Sequence, residues 1–314
     1  MPVCPGVQAD VLSAGDHQRG LRRGNRRETS KEVGLLRDLP KKYRHFGRTG
    51  WQVSAIAFGA WQLGGDWGAV DNAASIRTLH HAFERGVNFV DTAYIYGNGH
   101  SETVIGGALK RWQGHKIYVA TKAQPVEWPA PDDDAPQMRG RYPAWYLRKM
   151  VDAALLRLQL DRIDLFHLHS WMTAGIHELD WLETLNALRL EGKIDQIGVS
   201  IRDYRPQDGV DLARLGLVAS QQVVLNLFEQ RPAGDLFQAG AGTQGFIARV
   251  PLDSGSLVGH WDDDTYASFP AGSVPAVFPD TGRGRDALCA VLPGTVLRYS
   301  GHVEPGSGRY ECGL

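Results

Sequence analysis

From residue 43 to residue 250 the chain alternates short apolar runs with amphipathic stretches, and this rhythm constrains its fold more than any other feature. Residues 43–49 and 51–57 read as a short hairpin and a first strand, turned by Arg48-Thr49-Gly50. Residues 87–90, 116–120, 163–168, 196–199, 221–225 and 245–250 read as further strands. Between them, 72–85, 101–110, 145–160, 177–191, 207–215 and 232–239 have helical spacing; in the first, Ile76, Leu79, His80 and Phe83 share one face and Gly86 follows as a stop, and Ser101 reads as the N-cap of the second. Strictly alternating strand and helix predict a parallel sheet. Strands that are apolar nearly throughout predict one covered on both faces. A doubly wound sheet would need a phosphate-binding GxGxxG turn after its first strand, and Gly64-Gly65-Asp66-Trp67-Gly68 is glycine-rich without that spacing. Units of roughly 30 residues fit a barrel of about 250. The expected fold class is therefore α/β, a (β/α)8 TIM barrel.

Composition narrows the partners. The 314 residues carry a formal net charge of −1, and nothing global favours nucleic acid or an anionic membrane surface. No apolar run approaches the roughly 20 residues of a spanning helix. Cys4, Cys289 and Cys312 have no CxxC partner, which argues against a zinc site or a disulfide framework and makes a reducing, cytoplasmic setting the expectation. Residues 1–41 look separate: 19–27 holds five arginines and no acid. An organelle transit leader is one reading, weakened by Asp10, Asp16 and Glu28, and a disordered extension is the other. Residues 42–260 then form the barrel core, and 261–314 a Pro/Gly-rich tail.

The polar residues within this apolar framework fall in phase. Asp91, Lys122, His169, Ser200, Gln222 and Arg249 recur about once per strand–helix unit, most at a strand's C-terminal end, where barrel active sites lie. The sharpest motif is Asp91-Thr-Ala-Tyr-Ile-Tyr96-Gly-Asn-Gly-His-Ser-Glu102. Ala120-Thr-Lys122, Ile163-Asp-Leu-Phe-His-Leu-His169, Gly192-Lys-Ile-Asp-Gln-Ile-Gly-Val-Ser200, and Gln222 with Asn226 follow in order. Together they resemble the aldo-keto reductases over roughly 215 residues.

That resemblance implies reduction of an aldehyde or ketone by hydride from NADPH, a small-molecule carbonyl substrate, and a tetrad of Asp91, Tyr96, Lys122 and His169. Tyr96 would give the proton, Lys122 would draw the phenol's pKa down from near 10, Asp91 would hold Lys122, and His169 would orient the carbonyl oxygen. The resemblance also implies cofactor contacts: Ser200 and Gln222 to the carboxamide, and a pyrophosphate loop after the seventh barrel strand at Pro251-Leu252-Asp-Ser-Gly255-Ser-Leu257. Arg249 leads into that loop, and Gly59, Ala60 and Trp61 line the nicotinamide side. The chain departs from the family pattern at Ile201, where Asn is common, at Leu225, where an aromatic ring usually stacks on the nicotinamide, and at His260, where Lys is common.

Other residues have plainer readings. Tyr94 is packing, and His167, on the same strand parity as His169, is an interior residue. Glu102 caps or braces its helix, and His100 has no assigned duty. Asp132 to Asp134 and Asp262 to Asp264 are solvated acidic turns, so no metal is expected. In the tail, proline and glycine leave 285–292 as the longest helical stretch, about two turns. Ala290-Val-Leu-Pro-Gly294 is similar to the family's eighth-strand motif, but Val296 stands where a cation for the 2′-phosphate is expected, with Arg298 beyond it. With such a tail the barrel is expected to be incomplete at the eighth strand and closing helices, and two alternatives to an active reductase follow: a truncated, inactive homologue, or a nucleotide-binding regulatory subunit.

Overall fold

A computed structural model of the chain describes residues 43–65, 70–130, 133–253 and 257. The cysteines, the arginine run, Asp132, Gly255 and everything from residue 258 onward, including the Ala290–Gly294 motif, lie outside the described residues. In chain order the elements are β1 (Tyr43–His45), β2 (Gln52–Ser54), β3 (Phe58–Gly59), α1 (Asn72–Glu84), β4 (Phe89–Asp91), α2 (His100–Arg111), β5 (Tyr118–Ala123), α3 (Ala144–Leu158), β6 (Ile163–Trp171), α4 (Asp180–Leu190), β7 (Ile194–Ile201), α5 (Val210–Leu215), β8 (Ser220–Val224), α6 (Asp235–Ala239) and β9 (Gly245–Arg249). β3 to β9 form one parallel sheet in sequential order, each crossover passing through a helix.

Local chemistry sets the helices. Asp71 caps α1, its carboxylate accepting from Ala73 N at 2.9 Å, and Leu79 and Phe83 turn inward. In α3, Leu147, Met150, Val151, Ala154 and Leu158 repeat every three or four residues and are all buried, and the helix ends at Gln159 in the left-handed region. β6 is buried nearly throughout, with His169 alone half-exposed, because the sheet packs on one side against helices and on the other against itself.

The sheet is curled rather than flat. Three strands separate β4 from β8, so at ~4.8 Å per strand a flat sheet would hold them about 19 Å apart. Yet Gln222 Nε2 donates to Asp91 Oδ2 across 2.9 Å. The β1–β2 hairpin floors the same barrel. The Phe46 ring stacks on Trp51 (6.0 Å) and tilts against Phe89 of β4 (5.5 Å), while a Cβ on Gly245 of β9 would come within 2.5 Å of it. Among the described residues β3 and β9 are the ends of the sheet; an eighth strand of a closed (β/α)8 barrel would lie between them.

Several elements differ from their predicted form; α5 and α6 begin three residues later than expected, at Val210 and Asp235, after 3-10 turns at Pro206–Gly209 and Arg231–Ala233. The first parallel strand is Phe58–Gly59, not 51–57, because Ser54 turns the chain: its hydroxyl donates to Ile56 O at 2.7 Å and its N–H donates to Asn88 Oδ1. Ser101 is not the cap of α2, which starts after Gly99; its hydroxyl is buried and donates to Ala60 O at 2.8 Å, with Thr92 Oγ1 at 2.9 Å. The helix expected at 177–191 begins later, at Asp180, after a 3-10 turn at Thr173–Ile176.

Candidate active site

The C-terminal strand ends deliver four of the expected residues to one point. Lys122, fully buried on β5, places its Nζ 2.8 Å from Asp91 Oδ1 and donates to Thr92 O at 2.8 Å. Gln222 of β8 secures the other oxygen of Asp91. The turn after β4 carries Tyr96 over this pair: Lys122 Nζ lies 5.4 Å from the ring centroid. That turn is seated by two glycines. Gly97 has φ +63°, and a Cβ there would stand 2.0 Å from Gly64 O, so the backbones of the two segments touch. Through this contact the 3-10 turn Trp61–Gly64 is drawn against the loop, and the Trp61 ring stacks on Tyr96 at 5.7 Å. His169 of β6 meets Tyr96 edge-on at 6.0 Å and has Trp128 on another side at 5.9 Å.

Electrostatics divides these groups by protonation state. Burial works against the charge of Lys122, but Asp91 and then Tyr96 outweigh it and raise its pKa, so the ammonium is held. Burial raises the Tyr96 phenol above its ordinary 10; Lys122 and Arg249 pull it down without cancelling that rise, while Asp91 adds to it. The expected pull of Lys122 is therefore present, but the phenol remains an acid at neutral pH. His169 is held well below its usual range by burial, then by the cations Lys122 and Arg249, and is a neutral imidazole. His167 is likewise neutral and completely buried, as its strand parity implied.

The expected cofactor residues are placed more loosely. Ser200 is buried beside Gln222 in strand register, and Gly59 pairs with Asp91 and is exposed, with open space where a Cβ would stand. The Gln222 amide nitrogen is occupied by Asp91. Arg249 ends β9; its Nη2 donates to Ile201 O at 3.1 Å and pairs with Asp203, while its buried Nε has no partner among the described residues. Pro251 and Leu252 are exposed, and Leu257 N donates to Leu252 O at 3.3 Å, closing a turn. The turn departs through Val250 at φ +55°, a β-branched residue in the left-handed region, pinned by Asn226 Nδ2 to Val250 O at 3.1 Å. Gly255 lies outside the described residues.

Glu102, read from the sequence as capping or bracing its helix, is fully buried and braces three elements, accepting from Thr121 Oγ1 (2.5 Å) and Arg157 Nε (2.6 Å). Other contacts had no sequence signal. The loop after β5 is fastened to the loop after β7: Arg202 donates to Asp133 O at 2.7 Å while paired with Asp208, and Arg205 pairs with Asp134. That fastening carries Trp128. No cluster of metal-ligating side chains occurs among the described residues, nor any helix long and apolar enough to cross a membrane.

Comparison with known proteins agrees with this geometry. The profile of the Aldo/keto reductase family matches residues 55–276, and the chain belongs to that family. It is 34% identical over 161 residues to aldo-keto reductase YhdN of Bacillus subtilis, covering 51% of this chain and 46% of that protein. It is also 34% identical over 167 residues to L-galactose dehydrogenase of Arabidopsis thaliana, covering 50% and 47%. The chain thus spans about half the length of these two relatives. Among solved structures, glycerol dehydrogenase AKR11B4 of Gluconobacter oxydans aligns with a TM-score of 0.64 at 28% identity, over 79% of this chain and 75% of that one. An aldo-keto reductase of Klebsiella pneumoniae, solved in complex with NADPH, aligns with a TM-score of 0.56 at 25% identity over 74% of each.

Proposed function

We propose that this chain reduces an aldehyde or ketone with NADPH, with Asp91, Tyr96, Lys122 and His169 as the catalytic residues. The observation that carries this is the convergence of a protonated phenol, a buried ammonium and a neutral imidazole at the open end of the sheet. The residues suit the cofactor: Arg249 brings a cation with an unpartnered Nε, Gly59 leaves open space beside Asp91, and Ser200 and Gln222 adjoin it. Ser200, Gln222, Gly59, Trp61, Arg249, Pro251, Leu252, Gly255 and Leu257 would hold it. When bound, the reduced nicotinamide supplies hydride to the carbonyl carbon.

The chain's own residues handle the oxygen. His169, being neutral, donates one N–H to the carbonyl and polarises it without giving up a proton. Tyr96 transfers its proton to that oxygen as negative charge develops, and Lys122 stabilises the phenolate left behind. Asp91, oriented by Gln222, keeps Lys122 charged and in place. A cytoplasmic setting accords with this chemistry.

The test is titration of the purified 314-residue chain with NADPH, followed by tryptophan fluorescence, then a carbonyl screen. Saturable binding and turnover are expected, with Tyr96→Phe retaining binding and losing about 100- to 10,000-fold in rate. Full turnover by that variant removes Tyr96 as the acid. Binding without turnover of any carbonyl points instead to a nucleotide-binding regulatory subunit, and a folded chain that binds nothing overturns the assignment.

A further inference from the structure

His169 is enclosed by two aromatic rings, Tyr96 and Trp128, and the two contacts are not equivalent. Each ring of the His169–Trp128 pair has a buried polar atom without a hydrogen-bond partner among the described residues: Nδ1 of His169 and Nε1 of Trp128. They are complementary. An indole nitrogen only donates, and a neutral imidazole carries one nitrogen that only accepts. The rings are nearly perpendicular, at 65°, with centroids 5.9 Å apart. At that separation nitrogens on the facing ring edges, turned toward each other, meet at about 3 Å, the length of a hydrogen bond. Two unpartnered buried groups of this kind are each costly, and one hydrogen bond between them would satisfy both.

We propose that Trp128 is a positioning residue for His169: its Nε1–H donates to Nδ1, fixing the tautomer that carries hydrogen on Nε2. The hydrogen bond made by one imidazole nitrogen determines which proton the other presents. Only the Nε2–H tautomer gives His169 a donor on the edge away from Trp128. Trp128 is held for this duty from outside the site. Its loop is fastened at Asp133 and Asp134 by Arg202 and Arg205, and Arg202 is itself anchored by Asp208. A tryptophan in an otherwise unpatterned loop thus acts on a histidine that lies one helix further along the chain, on the next strand.

The inference rests on the reductase reading for its consequence but not for its test. The full chain is labelled with ¹⁵N-histidine and its imidazole tautomers are read by NMR at neutral pH with NADP⁺ present, the His169 signals being identified by their loss in His169→Gln. The wild-type chain is expected to show Nδ1 as an acceptor and Nε2 protonated. Trp128→Phe keeps the ring and removes the donor, and it should give a tautomer mixture. In carbonyl reduction the same variant should lose about tenfold or more in kcat with KM changed little, and Trp128→His, which returns an N–H, should recover part of it. His169 protonated on Nδ1 in the wild-type chain overturns the proposal whatever the variants do, as does Trp128→Phe with an unchanged tautomer. A tautomer shift in a chain that reduces no carbonyl leaves the positioning contact standing and removes the reductase reading instead.

Discussion

Lys122 keeps its charge where burial opposes it, and the balance depends on one carboxylate held from two sides. Replacing it tests both its structural and its chemical part. Lys122→Met leaves Asp91 facing an apolar group, and breaking a buried pair in this way costs about 3–5 kcal/mol. It also removes the strongest influence lowering the Tyr96 pKa. The expected result is a lower melting temperature, a reduction rate down by about 100-fold or more, and an alkaline limb displaced upward. The sign follows from the direction of proton flow: reduction needs the protonated phenol, so activity falls as pH rises through the Tyr96 pKa, and loss of the cation moves that point higher. A pH–rate profile superimposable on wild type would show that Lys122 does not act on Tyr96. At this scale the sequence was informative where a polar residue interrupts an apolar strand, as at Asp91, Lys122 and His169. It was silent for Trp128 and Arg202, whose loops have no periodicity and whose roles exist only through tertiary contact.

Helix α2 shows how an element's packing overrides its propensity. It contains adjacent glycines, Gly106 and Gly107, where Ala would ordinarily strengthen a helix by about 1 kcal/mol each. A Cβ on Gly106 would stand 2.4 Å from Arg157 O, since α2 and α3 approach backbone to backbone there. A Cβ on Gly107 would meet only Ile76 Cδ1, at 3.5 Å, an ordinary contact. Gly106→Ala is therefore expected to destabilise by about 1–3 kcal/mol and Gly107→Ala to stabilise by up to about 1. Urea unfolding of the two variants measures the difference, and equal effects would refute the close approach. Because Arg157 of α3 also holds Glu102, Gly106→Ala should lower activity as well. Spacing alone located α2 within a residue at each end, but it assigned Ser101 to the cap: a serine near a helix start reads the same whether it faces the backbone or, as here, a strand end.

The order of the whole molecule was legible because seven apolar strands separated by amphipathic helices admit few arrangements, and its curl because polar residues recur in phase at the strand ends. The floor hairpin and the loop fastenings were not, since they depend on side chains that meet only once the sheet has curled. Curling also encloses two histidines, His167 and His169, as neutral bases, burial being the first cause for each. Their native pKa values lie well below the ordinary 6.5, so between those values and 6.5 the unfolded chain binds more protons than the folded one. Stability is then complete above pH 6.5 and is lost as pH falls, by up to about 1.4 kcal/mol per pH unit for each histidine. His167 separates this effect from catalysis, because it is completely buried, with both ring nitrogens unpartnered among the described residues, and has no place in the proposed proton transfer. His167→Gln, neutral at every pH, should halve the slope of unfolding free energy against pH between about 6.5 and 5. Denaturant melts across that range give the slope directly. A slope unchanged by the substitution would mean that His167 takes up its proton within the folded barrel.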